Sequence, residues 1–355
     1  MPSKFFFIFF TFLCSSESLT RGYTYLYSHD IGNMRWANHQ DSRGEWPLEM
    51  RDALKRLGHV PIWVNRLDGL QNVDKLIMLS SISSRSDMMG TLRRYPKGVL
   101  IAVLWEPPTV YPDNYAADFF NSFSKIVTWD NSLLDNRCFF YFCYPVLQPM
   151  INETVSFETK KLAVMINMNK GSSHKDSLYA ERREVIMFFK NNHAGDFDLY
   201  GHDWPNFKNY KGQTDDKIAC LKGYRFCYAY ENMRNVSGYV TEKIFDAFAA
   251  GCVPIYWGAK NITDYVPKNC FIDRRDFSNN EQLYQFLKNM SKEVYETYIA
   301  NIKKFLASDA ALLFSREYFV DTLLNIIEPG YDKNVALSNS YKMVLARLYN
   351  ELDPQ

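Results

Sequence analysis

Short apolar runs alternate with segments of helical periodicity along most of this chain, a pattern typical of parallel sheets wound with helices. In the first half, five apolar runs predict strands at residues 24–27, 60–64, 75–79, 99–105 and 126–129. Between the first two, Met50, Leu54 and Leu57 are spaced as on one face of a helix over residues 46–57. Gly58 follows as a helix-ending residue.

The second half repeats the alternation after a polar segment, residues 145–161, which contains two prolines and is interpreted as a linker. Its predicted strands are 162–167, 197–201, 224–231, 253–257 and 270–272, and its predicted helices are 178–191, 242–250, 281–290, 292–306 and 316–327. The sequence thus predicts two Rossmann-like parallel-sheet domains of α/β class, 22–150 and 161–330, facing a central cleft. A C-terminal helical tail is expected at 331–355.

Composition narrows the function classes. A chain of 355 residues suits two domains, and 47% hydrophobic with 23% charged residues is typical of a globular protein. The net charge of +1 provides no field that would attract nucleic acid. Neither half contains a GxGxxG or Walker sequence, so a nicotinamide enzyme or an ATPase is not supported.

The N-terminus has the features of a targeting segment. Lys4 precedes an apolar run at 5–13, and small residues follow, so residues 1–18 are interpreted as a signal peptide or hydrophobic leader. As a helix the run would be about 14 Å long, too short to cross a bilayer.

The seven cysteines include no CxxC pair, so a zinc site is not expected. Cys138 and Cys143 are the closest pair if disulfides form, whereas Cys227 and Cys252 lie in apolar runs and are expected to be buried thiols.

The segment 225–258 combines a strand, a polar loop, a helix and a second strand. Thr241 is a plausible N-cap for the helix at 242–250, whose free N–H groups and positive dipole end would bind a diphosphate. Lys243 adds a charge in the first turn, and the neighbouring Glu242 is suited to ribose hydroxyls. The pattern alone also fits an ordinary capped helix with an exposed Glu-Lys pair.

The sequences YRFCYAYEN and GYVTEKIFDAFAAGCVPIYWG, with Phe271-Ile272-Asp273 and Asp276-Phe277, resemble the donor-binding signature of the α1,3/α1,4-fucosyltransferase family. The similarity is densest over residues 196–277 and looser over the first half. This resemblance implies an inverting enzyme of GT-B architecture that uses GDP-fucose, with the acceptor side N-terminal and the donor side C-terminal.

The resemblance also implies roles for individual residues. Lys243 would face the donor diphosphate and Glu242 the ribose, while Tyr239 would lie against the ribose and diphosphate and Asn232 against the fucose. Glu231, at the end of the preceding strand, is assigned to the donor side with them.

A second cation on the diphosphate is usually an arginine shortly before the Tyr-Arg-Phe strand in this family. The present chain has no arginine between Arg183 and Arg225; it has Lys208 and Lys211 at that distance, and Lys208 is assigned. A lysine lacks the two-pronged hydrogen bonding of a guanidinium.

Inversion requires a general base across the cleft, and Glu106 follows an apolar strand where ligands bind in such sheets. The family has a glutamate with this role at the matching place. By pattern alone Glu106 would be a solvated loop residue, and Asp113 and Asp130 are the weaker alternatives. His39 and Trp105 are expected to contact the acceptor.

No metal is expected to be required, since no DxD triad stands in a metal-binding context and Asp215-Asp216 fits a helix start. Stimulation by Mn²⁺ or Mg²⁺ is left open. The expected partners are GDP-fucose and a glycan acceptor containing N-acetylglucosamine, with peripheral membrane association also open and no nucleic acid.

The predicted activity is transfer of L-fucose from GDP-β-L-fucose to O3 of N-acetylglucosamine, an α-(1,3)-fucosyltransferase; α1,4 linkage or an N-glycan core remains an alternative. The alternative hypotheses are a GT-B transferase that uses another nucleotide sugar and a glycan-binding protein that has lost its catalytic activity. The expected location is the secretory pathway, in the Golgi lumen of a eukaryote, or the cytoplasmic face of the inner membrane of a bacterium.

Overall fold

The computed structural model describes residues 22–28, 46–79, 86–152, 155–328 and 331. Its described strands form two separate sheets, one of six strands in the order β2-β1-β3-β4-β5-β6 and one of five in the order β11-β10-β9-β7-β8. Every pair of neighbouring strands is parallel. The predicted pair of parallel-sheet α/β units is confirmed.

The first domain builds its sheet on strands that bury both faces, as β4 does with all five residues of Leu-Ile-Ala-Val-Leu. Its strands are β1 (Tyr23–Tyr27), β2 (Val60–Val64), β3 (Val73–Met78), β4 (Leu100–Leu104), β5 (Lys125–Thr128) and β6 (Phe139–Tyr141). Its helices are α1 (Trp46–Arg56), α2 (Ser86–Leu92) and α3 (Ala117–Ser122). The strand β6 and the helices α2 and α3 were not predicted, because each is too short for its periodicity to stand out.

The second domain follows the predicted alternation closely. Its strands are β7 (Lys161–Ile166), β8 (Phe197–Tyr200), β9 (Tyr224–Tyr230), β10 (Val253–Trp257) and β11 (Ile272–Asp273). Its helices are α4 (Tyr179–Asn192), α5 (Lys217–Lys222), α6 (Glu242–Ala249), α7 (Asn280–Lys288) and α8 (Lys292–Leu306). The strand expected at 270–272 is displaced, because a 3₁₀ turn over Lys268–Cys270 precedes β11.

The last described helix, α9 (Arg316–Ile327), returns to the first domain. The ring of Phe319 lies 5.0 Å from Trp46 and 5.5 Å from Phe142. At the end of the helix, Glu328 Oε1 lies 3.1 Å from Nε2 of the buried His59. The predicted second domain, 161–330, therefore includes a helix whose apolar face is buried against the first.

The described residues between β6 and β7 form neither helix nor strand, and Lys161, the last residue of the predicted linker, begins β7. Among the described residues, no helix is both long and apolar enough to cross a membrane. The predicted leader at 1–18 and nearly all of the predicted tail lie outside the described residues. So does His39.

Candidate functional site

The loop between β9 and α6 is pressed against the first domain. A Cβ on Gly238 would lie 2.1 Å from the Trp129 carbonyl oxygen, and Gly238 has a φ of 87°, so only glycine fits without strain. The Gly238 N–H donates to Asn261 Oδ1 at 3.0 Å. The start of α6 is thereby fixed at the carboxyl ends of the strands, where ligands bind in such sheets.

The helix α6 is anchored by the face that its spacing predicted: Ile244, Phe245 and Phe248 are each at most 1% exposed. Burying each of these side chains contributes about 1.5–3 kcal/mol. Gly251, with a φ of 62°, follows the end of the helix. The other end of α6, where the helix begins, has the polar residues Thr241, Glu242 and Lys243.

Glu231 lies at this polar end as a fully buried carboxylate. It accepts hydrogen bonds from the Thr241 N–H at 2.8 Å and from Thr241 Oγ1 at 2.7 Å. The predicted N-cap, Thr241, makes no side-chain cap hydrogen bond of its own. Gly258 leaves room for Glu231, because a Cβ there would lie 2.4 Å from Glu231 Cγ. The structure therefore places Glu231 beneath the donor loop, the loop between β9 and α6, where its carboxylate is bonded to Thr241.

Lys243 is the cation at the centre of the cluster. Its Nζ lies 3.2 Å from Glu231 Oε2, 3.3 Å from Glu242 Oε1 and 3.0 Å from Thr241 Oγ1. Burial opposes the charge of the ammonium, but the two carboxylates outweigh it and raise the pKa of Lys243. Burial likewise raises the pKa of Glu231, and Lys243 partly offsets this. Lys243 is thus held charged at the start of α6, with its side chain 19% exposed.

Arg182, on α4, is a neighbour that the sequence interpretation missed. Its Nη2 donates to the Tyr230 carbonyl at 2.6 Å and to Asn232 Oδ1 at 3.0 Å, and the residue is only 4% exposed. Asn232 in turn donates to the Tyr239 hydroxyl at 3.3 Å. A guanidinium therefore orders two of the predicted donor residues.

Tyr239 faces inward. It is 2% exposed, and its ring centroid lies 4.5 Å from that of Trp129 in the first domain. Burial, followed by the nearby Tyr144 and the charge of Glu106, raises the pKa of Tyr239 well above its usual value. Its ring therefore packs between the domains, and stacking on a sugar would require it to move.

Glu106 lies at the carboxyl end of β4, and its charge acts on the donor side of the cleft. Burial raises the pKa of Tyr179, at the start of α4, and the charges of Arg182, Glu106 and Lys243 lie close enough to modify that shift. Charges from both predicted halves of the site thus act on Tyr179, which the sequence interpretation also missed.

The alternative carboxylates have other surroundings. Asp130 accepts from the Ser132 N–H at 2.9 Å and caps the turn that follows, as its position suggested. Asp113 is exposed. Asp216 accepts from the Ala219 N–H at 2.8 Å and caps α5, which confirms the helix start.

Trp105 packs within a group of aromatic rings. Its centroid lies 5.3 Å from Trp46, 5.2 Å from Phe142 and 5.3 Å from Phe319. The ring is half-buried and joins α9 to the first sheet. An acceptor contact by Trp105 stays a prediction, since packing alone accounts for most of its surface.

Lys208 precedes the segment that borders the second sheet. It is exposed and precedes Asn209, whose carbonyl accepts from the Leu199 N–H at 2.8 Å beside the edge strand β8. The strands β8 and β7 separate this segment from β9, so three strand spacings, about 14 Å, lie between them. Arg182 is a second cation in contact with a predicted donor residue, Asn232, and its guanidinium has the two-pronged geometry that Lys208 lacks.

The described part of the chain also includes cysteines and other potential metal ligands. No three His, Cys, Asp or Glu side chains are grouped there as a metal site. The six cysteines found there are free thiols. Cys227 and Cys252 are buried, as predicted, and burial raises the pKa of Cys252 to about 12.

Comparison with known proteins assigns the second domain. Residues 158–317 match the C-terminal domain model of glycosyltransferase family 10 (fucosyltransferase). Residues 158–317, a little under half of the chain, are therefore similar to the C-terminal domain of family 10 fucosyltransferases. The match begins just before β7 and ends at the start of α9. It therefore spans the donor loop and Lys243, and it stops where the chain returns to the first domain.

Curated members of the fucosyltransferase family match over short segments. An alpha-(1,4)-fucosyltransferase of Arabidopsis thaliana is 37% identical over 95 residues, covering 26% of this chain and 23% of that protein. An alpha-(1,3)-fucosyltransferase of Helicobacter pylori is 39% identical over 74 residues, covering 21% and 15%. The 4-galactosyl-N-acetylglucosaminide 3-alpha-L-fucosyltransferase 9 of Mus musculus is 30% identical over 124 residues, covering 32% and 33%. The aligned segments span at most about a third of these relatives.

Solved structures extend the similarity to nearly the whole chain. The crystal structure of an alpha1,3-fucosyltransferase with GDP-fucose superposes with a TM-score of 0.53 at 14% identity, covering 91% of this chain and 95% of that one. The structure with GDP gives a TM-score of 0.54 at 13% identity, covering 89% and 93%. At this identity the match concerns the fold, and it confirms the predicted GT-B architecture.

Proposed function

We propose that this protein is an inverting fucosyltransferase that moves L-fucose from GDP-β-L-fucose to a hydroxyl of a glycan acceptor, O3 of N-acetylglucosamine. The family 10 domain over 158–317 supports fucose transfer. The observation that supports this most is that the charges of Glu106, from the first domain, and of Lys243 and Arg182, from the second, all act on Tyr179.

On the donor side, the diphosphate of GDP would lie at the start of α6. Lys243 and Arg182 supply positive charge there, and the helix dipole adds to it. The Glu242 carboxylate, 20% exposed beside Lys243, would accept from ribose hydroxyls, and Asn232 would contact the fucose. In this proposal Glu231 holds Lys243 instead of touching the donor, which revises the role expected from its position.

On the acceptor side, the Glu106 carboxylate would take the proton of the acceptor hydroxyl as that oxygen attacks the anomeric carbon of fucose. The new bond forms opposite GDP while the bond from the anomeric carbon to the phosphate oxygen breaks. The electron pair leaves with GDP, whose charge Lys243 and Arg182 offset. A single displacement of this kind turns the β-linked donor into an α-linked product.

No divalent ion is required in this reaction, since two cationic side chains and a helix end already offset the leaving charge. Added Mn²⁺ or Mg²⁺ could stimulate the rate without being essential. Chelation with EDTA should leave most of the turnover intact, and complete loss restored by Mn²⁺ would overturn this part of the proposal.

The O3 linkage is the finer part of the proposal. The relatives include alpha-(1,3) and alpha-(1,4) enzymes, and the mouse relative is named for a 4-galactosyl-N-acetylglucosaminide acceptor. A galactosylated N-acetylglucosamine is accordingly the first acceptor to test.

The experiment measures GDP release from GDP-fucose across a panel of N-acetylglucosamine-containing acceptors, with GDP-mannose and UDP-sugars as donor controls. Acceptor-dependent GDP release from GDP-fucose alone is expected. Release only from another nucleotide sugar would replace the donor, and glycan binding without any release would favour a decayed enzyme.

A further inference from the structure

The backbone around Glu106 is held by two tyrosine hydroxyls. Tyr144 donates a hydrogen bond to the Trp105 carbonyl oxygen, and Tyr115 donates to the Glu106 carbonyl oxygen at 3.0 Å. These carbonyls belong to the peptide groups immediately before and after the Glu106 Cα. With both peptide planes fixed, φ and ψ of Glu106 are fixed as well.

These hydrogen bonds replace a ladder that the sequence interrupts. The strand β4 ends at Leu104, and Pro107 and Pro108 have no N–H to donate. Beyond them, the N–H groups of Val110 and Tyr111 turn back to the Pro107 carbonyl. Strand pairing therefore stops just before Glu106. From there the tyrosine hydroxyls, instead of a neighbouring strand, donate to the main-chain carbonyls.

The Tyr144 ring approaches the loop between β9 and α6 directly, and the Tyr115 ring approaches Trp129, which contacts that loop. The Tyr144 centroid lies 6.1 Å from that of Tyr239, while the Tyr115 centroid lies 6.4 Å from Trp129, which itself contacts Tyr239. Burial raises the pKa of Tyr115 and of Tyr144 well above the usual value, so both hydroxyls keep their protons and donate at neutral pH. The rings thus link the backbone of Glu106 to the loop that leads into α6.

We propose that Tyr115 and Tyr144 are positioning residues. They hold the Glu106 backbone so that its carboxylate faces the donor side, where Lys243 and Arg182 lie. The inference rests on the proposed function, because it assumes that Glu106 is the general base. In this proposal neither tyrosine hydroxyl contacts the substrate. Their effect is transmitted through the main chain of one residue.

The test is a double-mutant cycle on the full chain. Tyr115→Phe and Tyr144→Phe are each made in the wild-type and in the Glu106→Gln background, and kcat and the KM for GDP-fucose are measured. In the wild-type background each change should lower kcat about tenfold, the loss of one hydrogen bond, with the donor KM nearly unchanged. In the Glu106→Gln background the same changes should have little effect.

Tyr25→Phe is the matched control, because the Tyr25 hydroxyl also donates to a main-chain carbonyl in the first domain, that of Gln71 at 2.9 Å. It should leave kcat unchanged. Equal losses of kcat in both backgrounds, or no loss in either, would overturn the positioning role. Full turnover by Glu106→Gln would overturn both the base assignment and the positioning role.

Hydrogen exchange separates a failure of this inference from a failure of the proposed function. The amides of Val110 and Tyr111 should exchange faster in the Tyr115→Phe and Tyr144→Phe variants than in Tyr25→Phe. If the wild type releases no GDP with any acceptor, the proposed function fails, and exchange alone then decides whether the tyrosines hold this backbone. Unchanged exchange would overturn the inference.

Discussion

Lys243 and Glu106 approach one cleft from two domains, and different contacts hold them. Lys243 lies within 3.3 Å of two carboxylates and is fixed by charge at the start of a buried helix. Glu106 follows a strand, and tyrosine hydroxyls donate to its own carbonyl oxygen and to that of Trp105. The donor side is therefore built to keep a cation charged, while the base side is built to keep a backbone in place.

The family match covers only one of these two regions. Lys243 and Glu242 lie at the start of one helix inside the matched range 158–317, whereas Glu106 lies outside it. The base side depends on hydroxyls that reach Glu106 from other segments, which leaves fewer signals close together in the sequence.

The largest expected effect is on the base. Glu106→Gln should lower turnover by about 10²–10⁴-fold, the range of general-base catalysis, while GDP affinity measured by calorimetry stays the same. Asp113→Asn, which neutralises an exposed carboxylate of the same segment, is the control. Unchanged turnover in Glu106→Gln would remove Glu106 from the base role.

A second prediction concerns the buried carboxylate of the donor side. Glu231→Ala leaves Lys243 and Thr241 without their buried partner, so the free energy of unfolding should fall by about 3–5 kcal/mol in urea titrations. Glu242→Ala, which removes a partly exposed carboxylate beside the same lysine, should lower it by less than about 1 kcal/mol. Equal losses would contradict the view that Glu231 is the structural partner of Lys243.

The donor cations give a third prediction. Lys243→Ala should weaken GDP binding about 10- to 100-fold, as expected for the loss of a charged hydrogen bond. Arg182→Lys should weaken it less, because a charge is kept while the fork is lost. Lys208→Ala tests the sequence assignment: a loss as large as that of Lys243→Ala would restore Lys208 to the diphosphate site.

The smallest expected effect concerns Asp198, a charged residue of the second domain that contributes to stability. Burial opposes the charge of Asp198, but hydrogen bonds from Lys161 and Tyr224, both at 2.7 Å, outweigh it and lower the pKa of Asp198. The stabilisation is present above the unfolded pKa of about 4 and is lost as pH falls through the lower folded pKa. Relative to the wild type, Asp198→Asn should be less stable at pH 6 by about 1–3 kcal/mol, by a margin that shrinks on acidification.

GDP affinity gives the control for that prediction. The described partners of Asp198 are Lys161, Tyr224 and Lys211, none of which is assigned to the donor site, so Asp198→Asn should bind GDP as the wild type does at pH 7. Weakened binding would mean that these contacts also support the site.

The sequence predicted most elements of the second domain because their apolar periods are long and their caps are distinct. The helices α8 and α9 begin and end at the predicted residues. The packing of α9 on the first domain was not predicted, since the docking of Phe319 against Trp46 is a tertiary contact that no local pattern reports.

The site shows the same limit. Lys243 and Glu242 were recognised because they are adjacent in one motif, whereas Arg182 meets Tyr230 from 48 residues away. The burial of Glu231 was not predicted, because the sequence alone does not show whether a glutamate at a strand end faces a ligand or the protein interior. Lys208 was chosen by distance along the chain, and sheet order sets it apart from β9.

The most direct test of the account follows one reaction by proton NMR. The wild-type protein is incubated with GDP-β-L-fucose and a galactosylated N-acetylglucosamine acceptor, and the anomeric signals are recorded with time. The account predicts α-linked fucose on the acceptor and GDP in equal amount, with the product nearly absent for Glu106→Gln. A β-linked product, or free fucose formed at the same rate without acceptor, would contradict it.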